Sequence, residues 1–506
     1  MCRKVSCSPT RRIEPPPNDI IMADNLRQKT FAGMIWTFAK HLSLEGFAFI
    51  QGIILARLLM PKDYGLIAMT QIFFAIAGTF IDSGFTLALM RKKDRKEIDY
   101  STVFVTNVVM TTFFAVVLCV CAPFIADFYN EPILKDIVRA NAVLLVMNSV
   151  NAVQGTRLRI NLQFKITSFI SVVCNITIGI ATIIFAYLGF GVWSLIYPNY
   201  LAPFLYFFMY WYFQHWRPKL NFSWKIWKEY FAYGSNLLIS SLLDTVWNNL
   251  YPLIIGKKFS ATDLGFYSRA RGYAKLPAST FQGVLGSVTF PVLCSIQDDD
   301  SRLKEAYRRL IRVSGYIVFP MLIGLAALSK PVIYVLITDK WAASIPYLVV
   351  ICFSVMWRPI HVLNLNLLKV KGRSGLFLRL EIIKKVLSLI VILITMNFSV
   401  MAMCIGSVIT SYICLYINTY YTGKLIQVGF FLQMRDLLPS FFYATSMGAL
   451  VYASTFLIHN LSLQLIIGIP LGILYYLTVS VLFKSDELAY VRELLKENVF
   501  KKYGKK

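Results

Sequence analysis

Several of the longest apolar runs in this chain carry charged side chains deep inside them, and the types and spacing of those residues point to chemistry. Arg271 and Lys275 are four residues apart and share one face of a helix, with Arg269 nearby and Gln282 two turns further along the same stripe. Planar guanidinium donors beside an ammonium group suit a multiply charged phosphate such as pyrophosphate. Arg358 and His361, three apart, also share a face, and Arg358 stands about 14 residues, or ~21 Å of helix, below one end of its run. Burying a charge in hydrocarbon costs roughly 2.5 to 3.5 kcal/mol on insertion scales, so each needs a reason to be there. Anion binding is one reason. Arg269 and Arg271, five to seven residues past the start of their run, equally fit snorkelling to the surface, and Arg358 equally fits a structural pair with an acid.

Two acids stand out in the same way. Glu45 and Asp244 each lie about 14 residues into an apolar run, roughly 21 Å along it and so near mid-membrane, and they are 199 positions apart. His41, four before Glu45, shares its face and could pass or hold a proton. A carboxylate that moves between wet and dry surroundings changes its proton affinity, which is what coupling transport to an ion gradient requires. Satisfaction of these acids by Asn248, Asn249 or Lys40 is the competing reading. Asp82, near the end of its run, is expected to cap the helix or to pair with Lys92 or Arg95.

The elements that carry these residues are membrane helices. The 506 residues are 57% hydrophobic, 15% aromatic and only 15% charged, with a mean hydropathy of +0.60, outside the soluble globular range. Apolar windows long enough to cross ~30 Å of hydrocarbon recur 14 times, over about 31–56, 64–90, 101–127, 133–156, 166–188, 191–214, 231–256, 264–293, 309–337 (broken near Ser329-Lys330-Pro331), 344–368, 374–397, 400–423, 438–458 and 461–483. The net charge of +25 is explained by its distribution. Of 51 Lys and Arg, 38 fall in the termini and alternate loops and eight on or near the opposite loops. That asymmetry is the positive-inside pattern, places both termini in the cytoplasm, meets anionic headgroups, and leaves nothing that calls for nucleic acid. Nine cysteines, most within apolar runs, read as small buried hydrophobes. There is no phosphate-binding Gly-rich loop ending in Lys-Ser/Thr and no metal-spaced His/Cys cluster, so no cofactor or metal is implied and ATP-driven transport by this chain alone is disfavoured.

One stretch occurs twice. Ile54 to Leu66 ends an apolar run in Arg57, then gives Asp63-Tyr64-Gly65; Ile254 to Phe266 ends one in Lys257-Lys258, then gives Asp263-Leu264-Gly265, and Thr79-Phe80 recurs as Thr280-Phe281. A near-constant offset predicts two similar halves, an arrangement common in transporters, with the substrate site between them. The expected fold is therefore an all-α polytopic membrane protein of about 14 transmembrane helices, two six-helix bundles related by an internal repeat plus two C-terminal helices. Its expected divisions are a disordered cytoplasmic segment 1–29, bundles 30–214 and 230–425, an interfacial linker 215–229, the helix pair 426–483 and an amphipathic basic tail 484–506. The linker interleaves three Trp with basic residues, as a segment lying on a membrane surface does. The Pro15-Pro16-Pro17 run marks the first segment as an extension, with Met22 as an alternative start.

The run Leu55-Ala56-Arg57-Leu58-Leu59-Met60-Pro61-Lys62-Asp63-Tyr64-Gly65, then Ile81-Asp82-Ser83-Gly84-Phe85 before a basic stop, resembles the polysaccharide transporters of the multidrug/oligosaccharidyl-lipid/polysaccharide exporter superfamily. The likeness runs from Asn25 through nearly the whole chain and includes the second-half echo Asp263 to Arg271. The resemblance implies a V-shaped pair of bundles in the bacterial inner membrane, with a central cavity opening to each side in turn. It implies undecaprenyl-pyrophosphate-linked oligosaccharide as cargo, membrane lipids around it, and glycan polymerase and chain-length regulator proteins as partners. It does not say which sugar. A drug antiporter of the same superfamily is the nearer rival, and a membrane glycan polymerase or ligase, not an expected fit with these short outer loops, the more distant one.

Overall fold

The computed structural model describes residues 43–82, 84–214 and 216–490 together with 36, 40, 41 and 492, apart from the side chains of 236, 237 and 280–288. The expectations for 1–29, for Gln282 and for most of the C-terminal tail lie outside them. Among the described residues the chain is helical throughout and contains no strand. The first half holds α1 (43–58), α2 (Pro61–Asp82), α3 (Phe85–Arg91), α4 (Glu97–Tyr129), α5 (Leu134–Ser149), α6 (Ala152–Ile160), α7 (Phe164–Tyr187) and α8 (Leu201–Phe213). The second holds α9 (Trp224–Lys258), α10 (Ala261–Ser295), α11 (Asp300–Ala327), α12 (Ser329–Ile337), α13 (Ser344–Val355), α14 (Arg358–Val370), α15 (Ser374–Thr395) and α16 (Val400–Ile426), followed by α17 (Phe430–Leu457) and α18 (Leu461–Leu482). Seven described helical stretches are long and apolar enough to cross a membrane.

Five differences from the sequence expectation have local causes. Residues 191–200 form two short 3-10 turns instead of the start of a membrane helix, because Gly189 and Gly191 take positive φ and Pro198 removes a donor. The run 133–156 breaks at Val150-Asn151, where the Asn151 amide turns away to donate to Pro203 O (2.9 Å), and 344–368 breaks before Arg358, with Pro359 in the first turn of the new helix. The linker is extended only to Ser223, since α9 begins at Trp224. Lys92 answers Asp99 at 2.7 Å and Arg95 caps the carbonyls of Leu89 and Met90, so neither pairs with Asp82.

The repeated Asp-x-Gly stretch shows what each of its residues is for. Asp63 accepts the Met60 N–H at 2.9 Å, and Asp263 receives the Ser260 hydroxyl at 2.7 Å while its N–H donates back to that oxygen; each acid stops the fraying of a helix start. The glycines let two backbones touch. A Cβ on Gly65 would stand 1.6 Å from Ala261 O, and one on Gly265 would stand 2.0 Å from Pro61 O, so α2 and α10 cross in contact at reciprocal positions 200 residues apart. Around that crossing Arg57 donates to Leu336 O (2.7 Å) and to Val335 O at the end of α12, while Lys257 donates to Phe128 O (2.5 Å) at the end of α4. Trp341 adds a bond from its indole to Ala56 O (2.8 Å). This clasp end of the molecule thus joins first-half and second-half helices through matched contacts. At the opposite, basic end the ties are ionic, including Arg308 to Asp436 (both contacts 2.6 Å) and Lys371 to Asp300 (2.6 Å).

Candidate functional site

Arg271 and Lys275 leave α10 about six and ten residues, or ~9 and ~15 Å, past the Gly265 crossing. Arg358 opens α14, which packs on α10; its charge acts on Lys275, and the charge of Arg271 acts on both Lys275 and Arg358. Among the described residues no carboxylate lies within ion-pair distance of any of the three. They form an uncompensated positive cluster flanked by the phenols of Tyr251 and Tyr267, whose rings stack at 6.2 Å beside Arg271. Arg269 does not join it. Two residues before Arg271, it faces another way, donates to Gly52 O at 2.8 Å and lies over the rings of Tyr64, Trp341 and Tyr273 at 4.4, 5.4 and 5.6 Å. Those contacts make Arg269 a tie between α1 and α10, neither a free ligand nor a snorkelling surface group.

Of the three, Arg358 lines a cleft of about 410 Å³ that also takes in Asp244, Trp247, Asn248 and Tyr251 from α9, His361 from α14, Glu381, Lys384 and Lys385 from α15, and serines of α15 and α16. His361 is held by Ser411 (3.2 Å) and Asn418 (3.1 Å) on α16. Asp244 is met across the cleft by Lys385 at 2.6 Å, and Glu381 by Lys384 at 2.5 Å. The Asp244 partner is therefore neither Asn248, Asn249 nor Lys40. Glu45 and His41 are exposed and have no ion pair with a described residue, so the two acids at equivalent depths sit in unlike surroundings. Sequence reasoning missed Lys384, Lys385 and Glu381 as site residues because it counted both lysines with the neighbouring basic loop. The signal that marks them is Glu381 at three and four residues before Lys384 and Lys385, inside a run that is otherwise apolar to Thr395.

The family described as polysaccharide biosynthesis protein matches residues 54–346, more than half the chain. The chain belongs to that family. It is 24% identical over 360 residues, 70% of this chain and 73% of the relative, to the teichuronic acid biosynthesis protein TuaB of Bacillus subtilis (strain 168). It is also 24% identical over 372 residues, 71% and 74% of the two chains, to the lipopolysaccharide biosynthesis protein WzxC of Escherichia coli (strain K12). In three dimensions it is similar to the lipid II flippase MurJ in an inward closed conformation, with a TM-score of 0.71, 15% identity, and 90% of this chain and 100% of that one covered. An inward-facing multidrug resistance transporter of the MATE family gives a TM-score of 0.58 at 14% identity, over 75% and 94%. At these identities the two structures establish a shared fold. Belonging to the family puts the cationic cluster of the second half in a membrane protein of polysaccharide biosynthesis.

Proposed function

We propose that this protein flips undecaprenyl-pyrophosphate-linked oligosaccharide units, precursors of O-antigen, capsule or exopolysaccharide, from the cytoplasmic to the outer leaflet of the inner membrane. The observation that carries the reading is the trio Arg271, Lys275 and Arg358, three cations within apolar helices that have no ion pair among the described residues, the acids of the Arg358 cleft being taken by Lys384 and Lys385. A diphosphate supplies the missing negative charge and accepts from both guanidinium groups. Arg269 acts from behind, fixing the α1–α10 contact next to them. The relatives' roles in teichuronic acid and lipopolysaccharide synthesis and the fold shared with a lipid II flippase support the same cargo class.

The architecture proposed for this work is two six-helix bundles, 30–214 and 230–425, related by an internal repeat, plus the pair 426–483, 14 membrane helices in all. Supporting it are the reciprocal glycine crossing, the matched donors Arg57 and Lys257, and twin turns at Asn161-Leu162-Gln163 and Lys371-Gly372-Arg373, which make the same set of backbone hydrogen bonds. Alternating access would then open and close the clasp end, proposed as the outer end. Glu45 and Asp244, with His41, are proposed to couple the cycle to an ion gradient. The cluster is tested by Arg271→Ala, Lys275→Ala and Arg358→Ala. Each is expected to lower surface polysaccharide by roughly tenfold or more, since a charge-assisted contact is worth about 1.5 to 3 kcal/mol, with the protein still at parental level in the membrane. Normal polysaccharide in all three would reject the site.

A further inference from the structure

A second polar pocket, of about 540 Å³, lies at the basic end of the first half, where α6 ends, α4 begins and the inter-half linker leaves α8. Arg157, Arg217 and Lys219 line it against a single carboxylate, Glu97. The arrangement is rigid. The Arg157 guanidinium sits over the rings of Tyr100 (5.3 Å) and Trp216 (5.5 Å), and the Trp216 indole donates to Glu97 at 2.5 Å, which leaves Arg157 only a 3.9 Å approach to that acid. Arg217 stacks over Trp211 at 3.9 Å. Two polar atoms of lining residues have no partner among the described residues, Nη1 of Arg157 and Oε1 of Gln214, and outside the lining the same holds for the indole N–H of Trp211, under Arg217, and for both side-chain amide atoms of Gln154, whose backbone carbonyl receives the Gln214 amide. Gln154 is 1% exposed and Gln214 8%. Buried donors and acceptors left open together, around a fixed guanidinium, describe a place for a ligand with several oxygens.

The chemistry of the pocket selects that ligand. Cationic donors outnumber the one acid, and a guanidinium with a desolvated edge favours a phosphate group, whose oxygens accept from it and from Arg217 and Lys219, while a hydroxyl on the phosphate or its ester can donate to Gln214. We infer that this pocket binds a phosphate ester at the membrane surface and thereby holds the linker joining the two halves. The flanking chain places it at headgroup depth: Leu220, Phe222 and Trp224 are exposed apolar residues interleaved with Lys219, Lys225 and Lys228, a pattern suited to the interface. A phospholipid headgroup and a soluble phosphate are the two sources of the same chemistry.

The purified full-length protein in detergent, titrated with dioctanoyl phosphatidylglycerol and separately with dioctanoylglycerol, is read by native mass spectrometry. The parent is expected to bind one phosphatidylglycerol with saturation, and Arg157→Gln and Lys219→Gln to bind it about tenfold more weakly, whereas Lys135→Gln, on the far side, matches the parent. Binding of dioctanoylglycerol should not respond to any of them. Inorganic phosphate as competitor separates the sources: displacement of the lipid, with the same response to the variants, assigns a soluble phosphate, and no displacement assigns the headgroup. Because Lys219 is exposed, its variant decides the matter even where Arg157→Gln fails to fold. Equal affinity of the parent and Lys219→Gln for both phosphatidylglycerol and phosphate would overturn the site.

Discussion

At the residue scale, Asp244 and Lys385 form the pair whose meaning most affects mechanism. Asp244 remains more than half exposed, at 61% of its side chain, and exposed pairs contribute about 0.2 to 1 kcal/mol, so holding the fold together is a small part of what the pair can do. Exchanging the charges, Asp244→Lys with Lys385→Asp, separates the two remaining roles. If the pair only sets local charge, the exchange restores export lost in Asp244→Lys alone; if Asp244 carries the coupling ion, the exchange stays inactive. We expect the second outcome, with Asp244→Asn or Glu45→Gln binding substrate while flipping in vesicles loses its dependence on an imposed proton or sodium gradient. Mutants as gradient-sensitive as the parent would reduce both acids to structural groups. Arg271, Lys275 and Arg358 stood out in the sequence as candidates because a charge within a long apolar run has few explanations. Lys384 and Lys385 did not, because their run begins in a basic loop and the composition alone does not show where the loop ends.

At the scale of elements, the α2–α10 crossing depends on the absence of two side chains. Any Cβ at Gly65 or Gly265 would meet backbone, which cannot swing aside as a side chain can. Gly65→Val and Gly265→Val should each hold the clasp end apart and lower export at least several-fold, with α2 and α10 still capped by Asp63 and Asp263. Accessibility of a cysteine placed at Met60 to a bulky maleimide should rise in both variants, and unchanged accessibility would show that the crossing does not control this end. The sequence placed the starts of these two helices within three residues, at 64 and 264 against Pro61 and Ala261, and Pro61, Ser260 and the two acids are the start signals that account for the earlier turn. The break at Asn151 had no such signal, because it rests on a tertiary hydrogen bond to Pro203 O that no local pattern announces. Pro359 was a signal for the second break that the expected 344–368 run passed over, since proline fits the first turn of a new helix.

For the whole molecule, the distribution of charge and the contacts between halves divide the structure into two unlike ends. The clasp end joins the halves through carbonyl acceptors, at Leu336 for Arg57 and at Phe128 for Lys257, whereas the basic end carries ion pairs such as Arg308 with Asp436, which tie α11 to α17 and do not link the two halves. Moving Lys384 and Lys385 from the loops into the cleft reduces the basic end's excess by two and leaves its sign unchanged, because only eight basic residues lie on or near the opposite loops. The positive-inside pattern therefore still supports the proposed orientation, with that end toward the cytoplasm. Single cysteines at Lys62, on the clasp end, and at Lys304, on the basic end, test the orientation in intact cells. A membrane-impermeant maleimide should modify the Lys62→Cys protein before lysis and the Lys304→Cys protein only after it. Lys62 is half exposed despite its 3.0 Å pair with Glu131, so a failure to label there could not be put down to burial. Labelling at position 304 in intact cells would invert the molecule, and with it the direction in which the cationic cluster hands its cargo across the membrane.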